Sequence, residues 1–204
     1  MYLYTIRGLA WSRFEKSFPQ SARLAVRYIL SEQVERNSIM NIRKSTLQDL
    51  PQILNLYKIA REFMKNNGNP NQWEDRYPEV STVENDIKTG ISYVCVENGG
   101  IVGTFVFFTG EDPTYRVIEN GEWHSDREPY GVIHRVASNG VTKGVTRAAF
   151  SYGLERSGYV RIDTHEDNKP MQGALKKFGF RECGVIHLER GAERIAFDCR
   201  KEWL

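Results

Sequence analysis

The chain has 204 residues, a mass of 23.6 kDa and a formal net charge of +2. This length suits a single domain with an appendage, and the composition excludes a fibrous or largely disordered chain. The near-balance of 28 basic and 26 acidic side chains argues against a dedicated nucleic-acid-binding protein. No stretch approaches the ~18 uncharged apolar residues of a membrane span, so we expect no membrane association.

Residues 1–39 differ from the rest in charge. They hold six basic and three acidic side chains, a net +3, which leaves −1 for residues 40–204. Charged residues interrupt each apolar run, so the segment does not match a secretory signal. We expect either an N-terminal extension or an upstream leader that precedes a native start at Met40, with the recognisable domain over residues 40–204.

The three cysteines are odd in number and lack metal-ligand spacing. They are Cys95, Cys183 and Cys199. This usage favours a reducing compartment, and we therefore expect a cytoplasmic protein that binds no metal.

Three strands and two helices are predicted for the first half of the domain. Asn98–Gly99 lies between two β-branched runs and is the strongest hairpin signal in the chain. Capping-box residues precede both helices. The expected elements are a strand over 41–44, a helix from Ser45 or Thr46 to about Met64, a helix from Ser81 to about Gly90, and strands over 91–96 and 101–108.

The second half follows a long irregular stretch over residues 110–129. The expected elements are a strand over 131–137, a helix over about 143–156, a strand over 159–164, a helix over 168–178, and strands over 181–188 and 194–198. Hairpins combined with two crossover helices predict an α/β fold in which a mixed sheet is flanked by helices.

A polar loop with two glycines joins the strand over 131–137 to the helix that follows. Such a loop can direct several backbone N–H groups at one anion, assisted by the partial charge of the helix N-terminus. Lys143 and Arg147 would add positive charge. An ordinary turn explains this segment equally well, and neither a Walker A loop nor a dinucleotide fingerprint is present.

A second polar segment runs from Asp163 to Phe180. A strand ends near Asp163 and His165, Asn168 precedes a helix, and Gly179 follows it. Each of these residues also has an ordinary structural role, since Asn168 suits a helix cap and Gly179 a helix end.

Together these segments resemble the GNAT superfamily of acyl-CoA-dependent N-acyltransferases. The family's Gln/Arg-x-x-Gly-x-Gly/Ala loop corresponds to Val141-Thr142-Lys143-Gly144-Val145-Thr146, where only the central glycine matches. The family's later Asn, Tyr and Gly-Phe fall on Asn168, Leu175 and Gly179–Phe180, so the tyrosine is absent. The resemblance covers residues 40–200.

Further residues resemble an uncharacterised bacterial branch of this superfamily. They are Gln72–Trp73, Tyr77–Pro78, His134–Arg135, Asp163–His165, Asn168 and Met171.

The resemblance implies a mostly antiparallel sheet of six to seven strands with about four helices. It implies direct transfer of an acetyl group from acetyl-CoA to a primary amine of a small molecule or peptide, and a homodimer is plausible on the same ground. The thioester would lie where strands 131–137 and 159–164 splay apart. The implied coenzyme A contacts are Val136, Val141, Thr142, Lys143, Gly144, Val145, Thr146 and Asn168.

The general base is the least determined part of this comparison. Histone-type members use a Glu that falls on Tyr130, with Glu128 close by. His134 is slightly favoured, because an unperturbed histidine titrates at ~6.5, and strand periodicity places it on the same face as Val136. His165, near the end of the neighbouring strand, is the other candidate. Each histidine could instead be a hydrogen-bonded core residue.

Three aromatic residues, Trp73, Tyr77 and Trp123, lie in the loops that cover the acceptor pocket in this superfamily. They would form an aromatic wall for an amine, or they would anchor long loops to the core. Because Leu175 replaces the family's acid and Tyr130 its base, a non-catalytic acyl-CoA sensor or interaction module is the competing hypothesis.

Overall fold

The computed structural model describes residues 40–73, 76–125, 129–189 and 191–204. The expected extension or leader over residues 1–39 and the alternative base Glu128 lie outside these ranges. The domain boundary after residue 39 therefore stays a prediction.

The described residues form a single mixed sheet with four α-helices. The strands are β1 (Asn41–Lys44), β2 (Ser92–Glu97), β3 (Gly100–Thr109), β4 (Gly131–Ser138), β5 (Tyr159–Thr164), β6 (Arg181–His187) and β7 (Glu193–Arg200). The helices are α1 (Leu50–Asn66), α2 (Val80–Lys88), α3 (Val145–Ser157) and α4 (Lys169–Phe178). The strand order is β1-β2-β3-β4-β5-β7-β6, and only the β4–β5 pair is parallel. The predicted mixed, mostly antiparallel α/β fold is confirmed.

Local sequence signals account for most element boundaries. Asn98 and Gly99 have positive φ angles of 51° and 78° and join β2 to β3 as the predicted two-residue turn. The predicted start of α2 at Ser81 is wrong. The extended residue Glu79 precedes this helix, and its carbonyl accepts the first helical hydrogen bond, from Val83.

Apolar side chains fill both faces of the sheet. Helices α3 and α4 cover one face, where Phe105, Ile133 and Phe197 are fully buried. Helices α1 and α2 cover part of the opposite face, and the described residues of the long loop between β3 and β4 cover another part with Tyr115 and Trp123. None of the described helices is long and apolar enough to cross a membrane.

Leu175, which the resemblance aligns with a tyrosine, is a core residue of α4 with 0% of its surface exposed. We expect Leu175→Ala to lower the free energy of unfolding by about 2–5 kcal/mol, because a buried cavity replaces its methyl groups. Val141→Ala is the control, since Val141 is 84% exposed and its change should stay within ~0.5 kcal/mol. Urea unfolding measures both, and equal losses would contradict the assignment of Leu175 to the core.

Candidate active site

Strands β4 and β5 run side by side for only part of their length. They pair at Gly131 with Val160 and at Val132 with Arg161, and no further pairs follow although both strands continue. The strands therefore diverge and leave a wedge-shaped gap in the sheet. Backbone groups on the facing edges of this gap have no partner strand, so they are open to a ligand. The expected splay is present.

A β-bulge interrupts β4 at the gap. Thr104 pairs with Ala137 but Val106 pairs with His134, so β4 holds one extra residue there, and Arg135 has a φ of +53°. The extra residue breaks the alternation of side chains along the strand. Val136 packs into the core beneath α3, whereas His134 lies on the opposite face. The prediction that these two residues share a face is wrong for this reason.

Arg135 is held in its left-handed backbone conformation by a partly buried ion pair. Its guanidinium donates to both carboxylate oxygens of Asp86, at 2.9 and 2.8 Å, and to the Tyr77 hydroxyl at 3.2 Å. Burial raises the pKa of Asp86 although the Arg135 charge opposes this shift. Asp86 lies on α2 and Tyr77 on the loop before it, so hydrogen bonds to both elements hold the bulge in place.

His134 lies between two carboxylates beside the gap. Its Nε2 atom is 2.8 Å from Asp112 Oδ2, and its Nδ1 atom is 3.6 Å from Asp163 Oδ1. About 21% of its side chain is exposed, so the ring can be reached from solvent. Three elements contribute to this cluster, since Asp112 lies in the 110–130 loop, His134 on β4 and Asp163 on β5.

Asp112 determines which nitrogen of His134 carries the proton. Burial raises the pKa of this carboxyl, but hydrogen bonds from His134 and Thr114 outweigh it and lower the value to about 2. Asp112 is therefore an ionised carboxylate that can only accept, and His134 Nε2 must be the donor. In the neutral ring this leaves the Nδ1 lone pair directed toward Asp163.

Asp163 has one well-bonded oxygen and one with weaker contacts. The Tyr115 hydroxyl donates to Oδ1 at 2.7 Å. Oδ2 faces the Arg194 Nε atom at 3.9 Å, beyond hydrogen-bonding distance. Tyr115 is fully buried, and its pKa is raised by burial and by the Asp163 charge. The tyrosine is therefore a neutral donor that holds this carboxylate in place.

The other two candidate catalytic residues have structural partners. Tyr130 is only 8% exposed, and its hydroxyl accepts the backbone N–H of Asp112 at 3.1 Å. His165 Nδ1 accepts the backbone N–H of Asp167 at 3.1 Å, in the turn that leads to α4. Tyr130 thus supports the Asp112–His134 pair, whereas His165 belongs to a turn.

The predicted pyrophosphate loop leads to the N-terminus of α3. Asn139 Oδ1 accepts the Val141 and Thr142 N–H groups, so these two amides are already engaged. The first intrahelical bond runs from Ala148 to Gly144, and the amides at 145–147 therefore lack acceptors within the helix. Gly144 has a φ of +89°, and space is open where a side chain would begin.

The remaining residues predicted to contact coenzyme A differ in which of their groups a ligand could reach. The Lys143 and Thr146 side chains lie on the outside of the loop and first helical turn, Lys143 exposed and Thr146 half-buried. The Val145 side chain is 2% exposed and packs in the core, so only its backbone can reach a ligand. Asn168 caps α4 through a hydrogen bond from Met171 N and donates to Gln72 Oε1 at 2.8 Å.

The three predicted acceptor-pocket aromatics are not equivalent. Trp123 is 6% exposed and donates its indole N–H to the Tyr115 carbonyl, so it anchors the loop that carries Tyr115. Trp73 contacts the rings of Tyr57 and Tyr77. Tyr77 remains 39% exposed and lies beside Arg135, which leaves Tyr77 and Trp73 as the pair that can face an acceptor.

Sequence reasoning missed Asp112, Tyr115, Asp86 and Arg194. Asp112 and Thr114 carry a local signal, because an Asp two residues before Thr is typical of a capped turn, and Asp112 Oδ1 does accept the Thr114 N–H. That signal predicts a turn. It does not predict the hydrogen bond between Asp112 and His134, which lies 22 residues later.

Comparisons with known proteins agree with this geometry. The family model described as the Acetyltransferase (GNAT) family matches residues 51–180. The chain is 32% identical to a GNAT-family acetyltransferase from Streptococcus agalactiae 2603, with a TM-score of 0.71 over 79% of this chain and 95% of that chain. It is 30% identical to a putative acetyltransferase from Staphylococcus aureus Mu50, with a TM-score of 0.56 over 78% and 97%.

A more distant likeness concerns the fold alone. AAC(6')-Ib, solved with ribostamycin and coenzyme A, is 15% identical, with a TM-score of 0.54 over 80% of this chain and 94% of that chain. Comparison with curated proteins found no match. Because the family match spans most of the domain and agrees with the diverging strands of the sheet, the chain belongs to the GNAT family of acetyltransferases.

Proposed function

We propose that this protein transfers the acetyl group of acetyl-CoA directly to a primary amine, with His134 as the general base. The observation that carries the proposal is the Asp112–His134–Asp163 cluster beside the gap between β4 and β5. We place the reaction in the cytoplasm because all three cysteines are free and buried. We also propose that the protein forms a homodimer, and this part of the proposal rests on the family resemblance alone.

The α3 N-terminus fits the pyrophosphate of coenzyme A. The amides at 145–147 combine with the partial positive charge of the helix end, and the open space beside Gly144 admits phosphate oxygens. Lys143 and Arg147 add two exposed cations. The AAC(6')-Ib relative was solved with coenzyme A, which agrees with this use of the fold. Unpaired N–H groups of β4 beyond Val132 would polarise the thioester carbonyl.

Gly144→Glu should abolish coenzyme A binding, because a side chain and a negative charge would enter the pyrophosphate site. Gly158→Glu is a matched control. Gly158 has a φ of +71° and equally open space at the opposite end of the same helix, so its backbone strain is similar. Isothermal titration calorimetry with coenzyme A should show wild-type affinity for the control. Undiminished coenzyme A binding by the Gly144→Glu variant would contradict the placement of the pyrophosphate at the N-terminus of α3.

Base catalysis requires a nitrogen lone pair where the amine arrives. Asp112 holds the proton of His134 on Nε2 and keeps the ring oriented, while Nδ1 faces the space beside Asp163. The Asp163 carboxylate, whose Oδ1 atom lies 3.6 Å from Nδ1, would attract an ammonium group to this space. His134 Nδ1 then removes the ammonium proton, and the amine attacks the thioester.

His134→Ala should lower kcat by ~10²–10⁴, the usual contribution of a positioned base. Affinity for coenzyme A should persist, because the ring lies on the opposite sheet face from Val136 and away from the α3 amides. His165→Ala is the control, and its kcat should remain near wild type. Steady-state kinetics and calorimetry measure the two effects. A near-normal kcat for His134→Ala would transfer the role to His165, Tyr130, Glu128 or a water chain.

A non-catalytic acyl-CoA sensor is the second candidate. Leu175, at the position of the family's acid, is buried in the core and cannot protonate a leaving thiolate. The thiolate would then leave without an acid. We expect a panel of small-molecule and peptide amines to show thiol release above the hydrolysis background with at least one acceptor. Coenzyme A binding without such release would favour the sensor.

A further inference from the structure

Three metal-ligand side chains converge outside the Asp112–His134–Asp163 cluster. His124 belongs to that loop, Cys183 to β6 and Asp198 to β7. His124 Nδ1 lies 2.8 Å from Asp198 Oδ1 and 3.5 Å from Cys183 Sγ. One nitrogen, one sulfur and one oxygen therefore lie within 4.8 Å of one another, although 59 and 74 residues separate His124 from its two partners.

We propose that His124 Nδ1, Cys183 Sγ and Asp198 Oδ1 form a binding site for Zn²⁺. Thiolate, imidazole and carboxylate are the three side-chain ligands that zinc uses in proteins. Three protein ligands leave a fourth coordination position for water. The His124 side chain is 35% exposed, so solvent reaches the cluster on its side. This site is separate from acetyl transfer and does not depend on the proposed function.

The hydrogen bonds of Asp198 favour a ligand at one oxygen in particular. Its Oδ2 atom accepts the Tyr159 hydroxyl at 2.6 Å and the His124 backbone N–H at 2.9 Å. Asp198 is 0% exposed, so these two donors fix the orientation of the carboxylate. Oδ1 is thereby directed at the nitrogen and sulfur atoms, and donors to the second oxygen orient carboxylate ligands in this way in metal sites.

His124 Nδ1 has two neighbours, Asp198 Oδ1 and Cys183 Sγ, but its one proton can form a good hydrogen bond with only one of them. On zinc binding the Cys183 thiol releases its proton to solvent, and neutral His124 carries its proton on Nε2. The ion then replaces the hydrogen bonds among the three donor atoms with coordinate bonds. Because the thiol must lose its proton for the thiolate to bind zinc, uptake should weaken as pH falls.

Nearby positive charge opposes the ion. The Arg161 guanidinium packs over the Trp123 ring and donates to the Ser125 carbonyl. This cation should make the affinity lower than that of an all-cysteine structural site.

A zinc ion at this position would fix the loop that carries Asp112 and Tyr115. His124 follows Trp123, whose indole N–H holds the Tyr115 carbonyl. Zinc would therefore attach the segment bearing Tyr115 to strands β6 and β7 and stabilise it there.

The experiment is a titration of the full chain with Co²⁺ and Zn²⁺ after removal of metal by a chelator. Co²⁺ bound by Cys183 should give a thiolate charge-transfer band, and about one equivalent of Zn²⁺ should displace it. Cys183→Ser and His124→Ala should each remove the band and lower zinc retention measured by elemental analysis after dialysis. Cys199→Ser and His187→Ala are matched controls and should keep both.

His124→Ala keeps the experiment decisive if Cys183→Ser fails to fold, because His124 is the partly exposed member. Circular dichroism verifies the fold of each variant. A cobalt spectrum without a thiolate band, or zinc retention unchanged in folded His124→Ala, would overturn the proposal.

Discussion

The divergence of β4 from β5 is the constraint on which the candidate site depends. Two parallel pairs, Gly131–Val160 and Val132–Arg161, hold the strands together at one end. The extra residue at Arg135 then bends β4 away. A positive φ is costly for a residue with a side chain, and the ion pair of Arg135 with Asp86 offsets that cost. The ion pair between Arg135 and Asp86 therefore helps to maintain the gap.

The Asp112–His134–Asp163 cluster is assembled beside this gap by β4, β5 and the 110–130 loop. The 110–130 loop supplies Asp112 and Tyr115, and Trp123 and Tyr130 fasten it through hydrogen bonds to backbone atoms of those same two residues. The loop before α2 is joined to α4 by the Gln72–Asn168 hydrogen bond. Asp112 and Tyr115 are thus each positioned by a buried aromatic residue, which fixes the orientation of the groups around His134.

Local sequence patterns predicted the elements well because each depends on neighbouring residues. The Asn98–Gly99 turn needs positive φ at two positions, and the cap of α4 needs only Asn168 and the amide of Met171. The start of α2 was misplaced because Ser81 and Glu84 satisfy the capping pattern although the chain is already helical at Val80. His134 lies beside the gap, but the sequence predicts the wrong face for it, because strand alternation does not anticipate a bulge.

The sequence by itself determined the order of strands and helices, the position of the polar glycine-containing loop before α3, and the resemblance to acyl-CoA-dependent enzymes. These follow from periodicity, turn residues and short spacings. Only the tertiary structure decided which carboxylates face His134, that Leu175 and Val145 lie in the core, and that His124, Cys183 and Asp198 meet. Such contacts join residues tens of positions apart, and the packing of loops against the sheet sets them rather than any local preference of the chain.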